Sequence, residues 1–222
     1  MKSSTQIMNR EKIVSEIKSK AAVAVIRMTD PRKLLKVVEA IHKGGVSCIE
    51  ITMTVPNALK MIEEVSAVVS KDVTVGVGSV LNAETAKQAI NAGARFVVGP
   101  IFKREIIEVA HRNDVPAIPG CFTPTEIQTA DEAGADIVKV FPADVVGMAF
   151  FKAVLAPMPH LQLMPTGGVT LTNAGDWLKA GACAVAIGTA LLDKKAIEAE
   201  NYAQLTENAR IMNESIAKAR QS

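Results

Sequence analysis

The chain has 222 residues, 49% hydrophobic and 22% charged, enough apolar material to bury a sizeable core in one large α/β domain over residues 1–222. Its 25 basic and 23 acidic residues give a net charge of +2 and are scattered, without the basic run or aromatic-rich segment that nucleic acid binding uses; a small-molecule partner is expected. No apolar run approaches the roughly 18 residues needed to cross a bilayer, and the first ten residues are polar, unlike a secretory signal, so the expected location is cytoplasmic, away from membranes.

In chain order, residues 9–20 read as an N-terminal helix capped by Asn9, followed by an apolar first strand over 21–26 that ends at Arg27. Thr29-Asp30-Pro31 starts a helix, Leu34, Leu35, Val38 and Ile41 recur at helical spacing, and Gly44-Gly45 stops it. The same unit returns with strands near 46–52, 73–78, 95–99, 115–119, 136–141, 161–165 and 183–187. The helical patterns start near Pro56, Asn82, Lys103, Pro124, Gly147, Leu171 and Asp193, and a last helix runs from about Asn201. Strict β/α alternation predicts a parallel sheet.

An internal repeat narrows the architecture. Gly45, Gly93, Gly134 and Gly181 each precede an even-numbered strand, at steps of 48, 41 and 47 residues, which suits two βα units per step. The predicted fold is therefore a single (β/α)8 TIM barrel with an extra N-terminal helix. Five residues past each glycine stand Glu50, Val98, Lys139 and Ala186, which the repeat places in one inward-facing layer, with strands two and six facing each other. Thr52, Pro100, Phe141 and Gly188 follow at the mouth.

Lys139 sits among Ile137, Val138, Val140 and Phe141, so its ammonium must be neutralised, paired or held at a solvent-filled mouth. Burial lowers a lysine pKa and yields the free amine that forms an imine with a ketone; a nearby ionised Glu50 acts the other way. With a carboxylate as proton shuttle, that imine is the electron sink of class I aldolase chemistry. A buried salt bridge that merely fixes the barrel is the competing reading.

Gly167 and Gly168 after strand seven, with Gly188 and Thr189 after strand eight, lie where barrels commonly bind phosphate through backbone N–H groups. Arg27 is a candidate clamp for a carboxylate or phosphate. Gly76-Val77-Gly78-Ser79 lacks a Rossmann fingerprint and a P-loop lysine, and reads as a strand end presenting Ser79. Cys48, Cys121 and Cys183 read as structural thiols, and His42, His111 and His160 lack zinc spacing, so neither a metal nor another cofactor is expected.

Five stretches together resemble the 2-keto-3-deoxy-6-phosphogluconate (KDPG) and 4-hydroxy-2-oxoglutarate (KHG) aldolases: Ile49-Glu50-Ile51-Thr52-Met53-Thr54, Gly76-Val77-Gly78-Ser79-Val80-Leu81, Ile118-Pro119-Gly120, Val138-Lys139-Val140-Phe141-Pro142-Ala143 and Pro165-Thr166-Gly167-Gly168-Val169. The resemblance implies a metal-free homotrimeric lyase acting on a phosphorylated 2-keto acid, with Lys139 as Schiff-base lysine and Glu50 as general acid/base. It implies substrate contacts at Thr54, Ser79, Pro100, Phe141 and Thr166. The chain departs from the family pattern at Thr54, where some members carry a carboxylate-binding arginine, at Ser79, where threonine is common, and at Gly99, where serine usually precedes the proline. Arg27 is then the replacement anion contact. The galactonate epimer of the same phosphosugar acid, KHG, and a non-catalytic barrel that binds a phosphorylated acid remain open as alternatives.

Overall fold

The computed structural model describes residues 9–221, so most of the polar N-terminal stretch lies outside the described residues. Helix α1 (Arg10–Lys20) begins where Asn9 accepts the Lys12 N–H at 3.0 Å, and it ends at Ala21, whose φ of 55° turns the chain into β1 (Ala22–Ile26). Asp30 caps α2 (Pro31–Lys43), and β2 (Cys48–Thr52), α3 (Ala58–Val68), β3 (Thr74–Gly78) and α4 (Ala83–Asn91) follow. Next come β4 (Val97–Val98), α5 (Arg104–Arg112), β5 (Ala117–Ile118), β6 (Gly120–Cys121), α6 (Pro124–Glu132) and β7 (Val138–Val140). The chain continues through α7 (Ala143–Leu155), β8 (Leu163–Pro165), α8 (Ala174–Lys179), β9 (Val185–Ile187), α9 (Lys194–Glu198) and α10 (Tyr202–Arg220).

Four expectations need correction. The expected fifth strand is two short strands, because Pro119 has no N–H to give the ladder: β5 pairs with β4, and β6 pairs with β7. The helix expected to start at Gly147 starts at Ala143, and Gly147, at φ 70° and ψ 177°, lies within it at a kink. The helices expected from Pro56 and Leu171 begin at Ala58 and Ala174. Asn57 is left-handed in the first case, and in the second Thr170 and Asn173 hydrogen-bond each other's N–H groups in a turn.

All strand pairs are parallel. Six strands run in the order β5-β4-β3-β2-β1-β9 and three in the order β6-β7-β8. A bridge between Thr166 and Ala186, and the Cys183 N–H donated to the Leu163 carbonyl at 2.9 Å, set β8 beside β9. The sheet curls around its own inner face, and the period-2 alternation of each strand divides the core in two. Ala24, Ile49, Val75, Val97, Val138 and Val185 join the cluster under the helices. Val23, Val25, Phe96, Val98, Ile118 and Ala186 fill the inner cluster.

Ile13 and Ile17 of α1, both 0% exposed, complete that inner cluster, each burial being worth roughly 1.5–3 kcal/mol. Polar contacts hold the helix there. The Thr74 hydroxyl donates to Glu16 at 2.9 Å, Arg10 pairs with Asp136 at 3.4 Å, and Arg220 donates to the Lys18 and Ser19 carbonyls that end α1. With α1 packed into one end, the opposite end, where the strands finish, carries the loops that follow each strand.

Candidate active site

Strand alternation decides which side chains enter the enclosed space. Ile49 and Ile51 point under the helices, so Glu50 points inward; Val138 and Val140 do the same on β7, so Lys139 points inward too. β2 lies between β1 and β3, and β7 between β6 and β8, so each group comes from the interior of its own sheet. Glu50 is 1% and Lys139 6% exposed, and Val98 and Ala186, the other members of the expected layer, are buried with them.

Burial holds the Glu50 carboxyl above its ordinary range, against the opposing pull of Lys139 and Arg27. Burial likewise lowers Lys139 below the ordinary lysine value; Glu50 works against this, and Arg27 works with it. The competition left open by sequence thus goes to desolvation. Its effect has opposite signs for an acid and a base, so it brings their proton affinities toward each other and favours proton exchange between them. Glu50 and Lys139 form no direct ion pair or hydrogen bond among the described residues, and Glu50 Oε2 has no hydrogen-bond partner there. The Lys139 ammonium position lies 5.0 Å from the centroid of the Phe141 ring, which is 37% exposed at the rim.

Gly78, on the neighbouring strand, explains how Glu50 fits. A Cβ at residue 78 would collide with the Glu50 carboxylate, so only glycine leaves room for that acid between β2 and β3. Sequence reading treated this glycine merely as a strand end. Thr52, the last residue of β2, is fully buried, and its hydroxyl pairs with that of Thr54 at 2.8 Å; Thr54 itself is exposed. Ser79, half-buried, has a φ of 59°, and half-buried Pro100 packs its carbonyl against Gly120. Thr166 is 8% exposed, and its hydroxyl, like Glu50 Oε2, is buried without a partner among the described residues. Each of these orphaned polar atoms calls for a bound polar group or water.

The glycine loops stand side by side because β8 neighbours β9 at the Thr166–Ala186 bridge. Gly167 and Gly168 have φ of 101° and 70°, and a Cβ on either would strike Asp144 at the start of α7, an acid the sequence reading did not place. The N–H groups of Gly167, Gly168, Thr189 and Ala190 donate to no protein acceptor among the described residues. A cavity of about 390 Å³ runs along the second loop, lined by Val25, Arg27, Lys33, Gly188, Thr189 and Lys194. Val25 is the register partner of Glu50, so this cavity adjoins the acid's strand.

The three cysteines and His111 serve structure. Burial pushes the Cys48, Cys121 and Cys183 thiols up to about 12, leaving them protonated, and all three are free. His111, on α5, pairs with Asp136 at 2.9 Å at the α1 end, far along the chain from the mouth loops. Among the described residues no cluster of His, Cys, Asp and Glu is arranged to hold a metal ion, and no helix is long and apolar enough to cross a membrane.

A family model described as KDPG and KHG aldolase matches residues 13–208. The chain is 33% identical to a 2-dehydro-3-deoxy-phosphogluconate aldolase of Pseudomonas aeruginosa, covering 88% of this chain and 89% of the relative. It is 31% identical to a 2-dehydro-3-deoxy-6-phosphogalactonate aldolase of Escherichia coli, covering 76% and 83%. Its structure matches, with a TM-score of 0.83 and 26% identity over 90% of this chain and 97% of the other, a KDPG aldolase from Legionella pneumophila with pyruvate captured at low pH as a covalent carbinolamine intermediate. An inward amine and acid on parallel strands, in a chain matched along most of its length, thus lead to one conclusion: the chain belongs to the KDPG and KHG aldolase family.

Proposed function

We propose that this protein is a class I aldolase that cleaves KDPG to pyruvate and glyceraldehyde 3-phosphate through a Schiff base on Lys139. The observation that carries this reading is a desolvated amine with lowered pKa sharing an enclosed region with a desolvated acid of raised pKa, without a direct bond between them.

The neutral Lys139 amine attacks the C2 carbonyl carbon, and Glu50 protonates the departing hydroxyl so that water leaves and an iminium forms. Glu50, now a carboxylate, accepts the C4 hydroxyl proton through water; the C3–C4 bond breaks, and its electrons enter the iminium to give the enamine. Glyceraldehyde 3-phosphate departs. Glu50 returns a proton to C3, and water hydrolyses the iminium to release pyruvate and the amine. Phe141 and Pro100 cover the apolar side of pyruvate, and Thr166, Ser79 and Thr54 offer hydroxyls toward its polar atoms. Gly167, Gly168, Gly188 and Thr189 hold the phosphate, and Arg27 takes the anion contact.

In this reading the two sheets are staves of one (β/α)8 barrel. β5 and β6 form one stave across Pro119, whose carbonyl accepts the Lys139 N–H at 2.9 Å, and α1 is the extra helix across the bottom. The whole chain is one domain that works as a cytoplasmic homotrimer without a cofactor. Cleavage of the galactonate epimer is the second reading, favoured by the likeness to the Escherichia coli relative; KHG, lacking phosphate, should be the poorer substrate.

The test is reduction with borohydride in the presence of pyruvate, followed by peptide mass spectrometry. A pyruvyl adduct on Lys139, absent from Lys139→Met, is the expected result; labelling of another lysine, or none, would refute the assignment. Binding of the phosphorylated acid without any adduct would instead favour the non-catalytic barrel.

A further inference from the structure

Two cations that have no carboxylate partner among the described residues line the cavity beside the β9 loop: Arg27, just after β1, and Lys33, in the first turn of α2. The same wall carries two acids, Asp30 and Glu198, and a third cation, Lys194. Asp30 Oδ1 accepts the N–H groups of Arg32 and Lys33 at 2.9 and 3.3 Å, and Glu198 pairs with Lys194 at 3.7 Å. The lining thus holds three cations, Arg27, Lys33 and Lys194, against the two acids Asp30 and Glu198, a net excess of one positive charge next to the free N–H groups of Thr189 and Ala190, which suits an anion. The Gly167–Gly168 loop differs, because the Asp144 side chain crowds it and brings negative charge to that side. The two loops are thus electrostatically unequal.

We propose that Lys33 is a specificity-determining residue. With Arg27 and the Gly188–Thr189 backbone it holds the β9-facing side of the terminal phosphate, whose other side meets the Gly167–Gly168 N–H groups, and so selects phosphorylated over unphosphorylated 2-keto acids. This inference rests on the aldolase reading above and adds to it a side chain that neither the motifs nor the repeat marks. Lysine supplies a point charge on a flexible stem rather than a fixed fork, so it can follow the phosphate as the C3–C4 bond breaks.

The experiment compares kcat/KM for KDPG and for KHG in wild type, Lys33→Gln, Lys33→Arg and Lys194→Gln. Loss of one charge-assisted phosphate contact should lower kcat/KM for KDPG about tenfold, mainly through KM, while the value for KHG changes less than about twofold. Lys33→Arg should restore most of the preference, and Lys194→Gln should shift it less than about twofold. An unchanged KDPG to KHG ratio in Lys33→Gln, or an equal loss on both substrates, would overturn the proposal while leaving the aldolase reading intact. If wild type cleaves neither substrate, that reading fails, and calorimetric titration with inorganic phosphate decides the inference separately. Phosphate affinity falling about tenfold in Lys33→Gln supports it, and equal affinity in the two proteins rejects it.

Discussion

Replacing Lys139 by methionine separates a catalytic site from a structural ion pair. If Lys139 and Glu50 were a buried salt bridge, removing one partner would strand the other charge and cost about 3–5 kcal/mol, which in a chain of this size lowers Tm on the order of 10 °C. The geometry argues otherwise. The amine is 6% exposed and faces the Phe141 ring, the acid has an unpartnered oxygen, and neither group bonds the other. Methionine keeps the apolar contacts, and Glu50, whose pKa is already raised, becomes more readily neutral once the cation is gone. The expected stability of Lys139→Met is therefore within about 1 kcal/mol of wild type, or higher, alongside complete loss of imine formation.

The pH dependence supplies the sign. Lys139 has a lowered pKa when folded, so between that value and the ordinary 10.5 its site binds more protons in the unfolded chain, and the contribution of Lys139 to wild-type stability rises with pH. Any advantage of Lys139→Met should be largest at neutral pH and fade as pH approaches 10.5. Urea titrations at fixed protein concentration, from pH 7 upward, measure both quantities. A destabilisation of about 3 kcal/mol or more at pH 7, or an advantage that grows with pH, would refute the argument.

Two further predictions test what positions the site. Gly78→Ala drives a methyl group into the space of the Glu50 carboxylate and should reduce kcat/KM about a hundredfold for a stability loss of about 1–3 kcal/mol; steady-state kinetics with full retention of rate would show that Glu50 needs no such space. Asp136→Asn weakens the junction where one carboxylate meets Arg10 at 3.4 Å, His111 at 2.9 Å and the Ala117 N–H at 2.9 Å. It should cost about 1–3 kcal/mol in a chemical melt and speed amide exchange across α1, whereas unchanged exchange there would mean that Ile13, Ile17, the Thr74–Glu16 bond and Arg220 hold α1 without it.

The alternation of strands and helices, and the inward facing of Glu50 and Lys139, were legible in the residues alone. Both follow from backbone periods of 2 and 3.6 that every strand and helix obeys whatever surrounds it. Asn9, Asp30 and Asn201 likewise announced their helices, because a cap is made within a few residues of chain. What depends on separation in space was not legible. Desolvation outweighing Glu50 in the balance at Lys139, the room that Gly78 leaves for the acid, the Asp144 carboxylate against Gly167, and the meeting of Lys33 with the β9 loop each join residues far apart in the chain. Local sequence carries no record of which distant atoms will approach; only the curled sheet, by bringing strand ends together around one space, decides it.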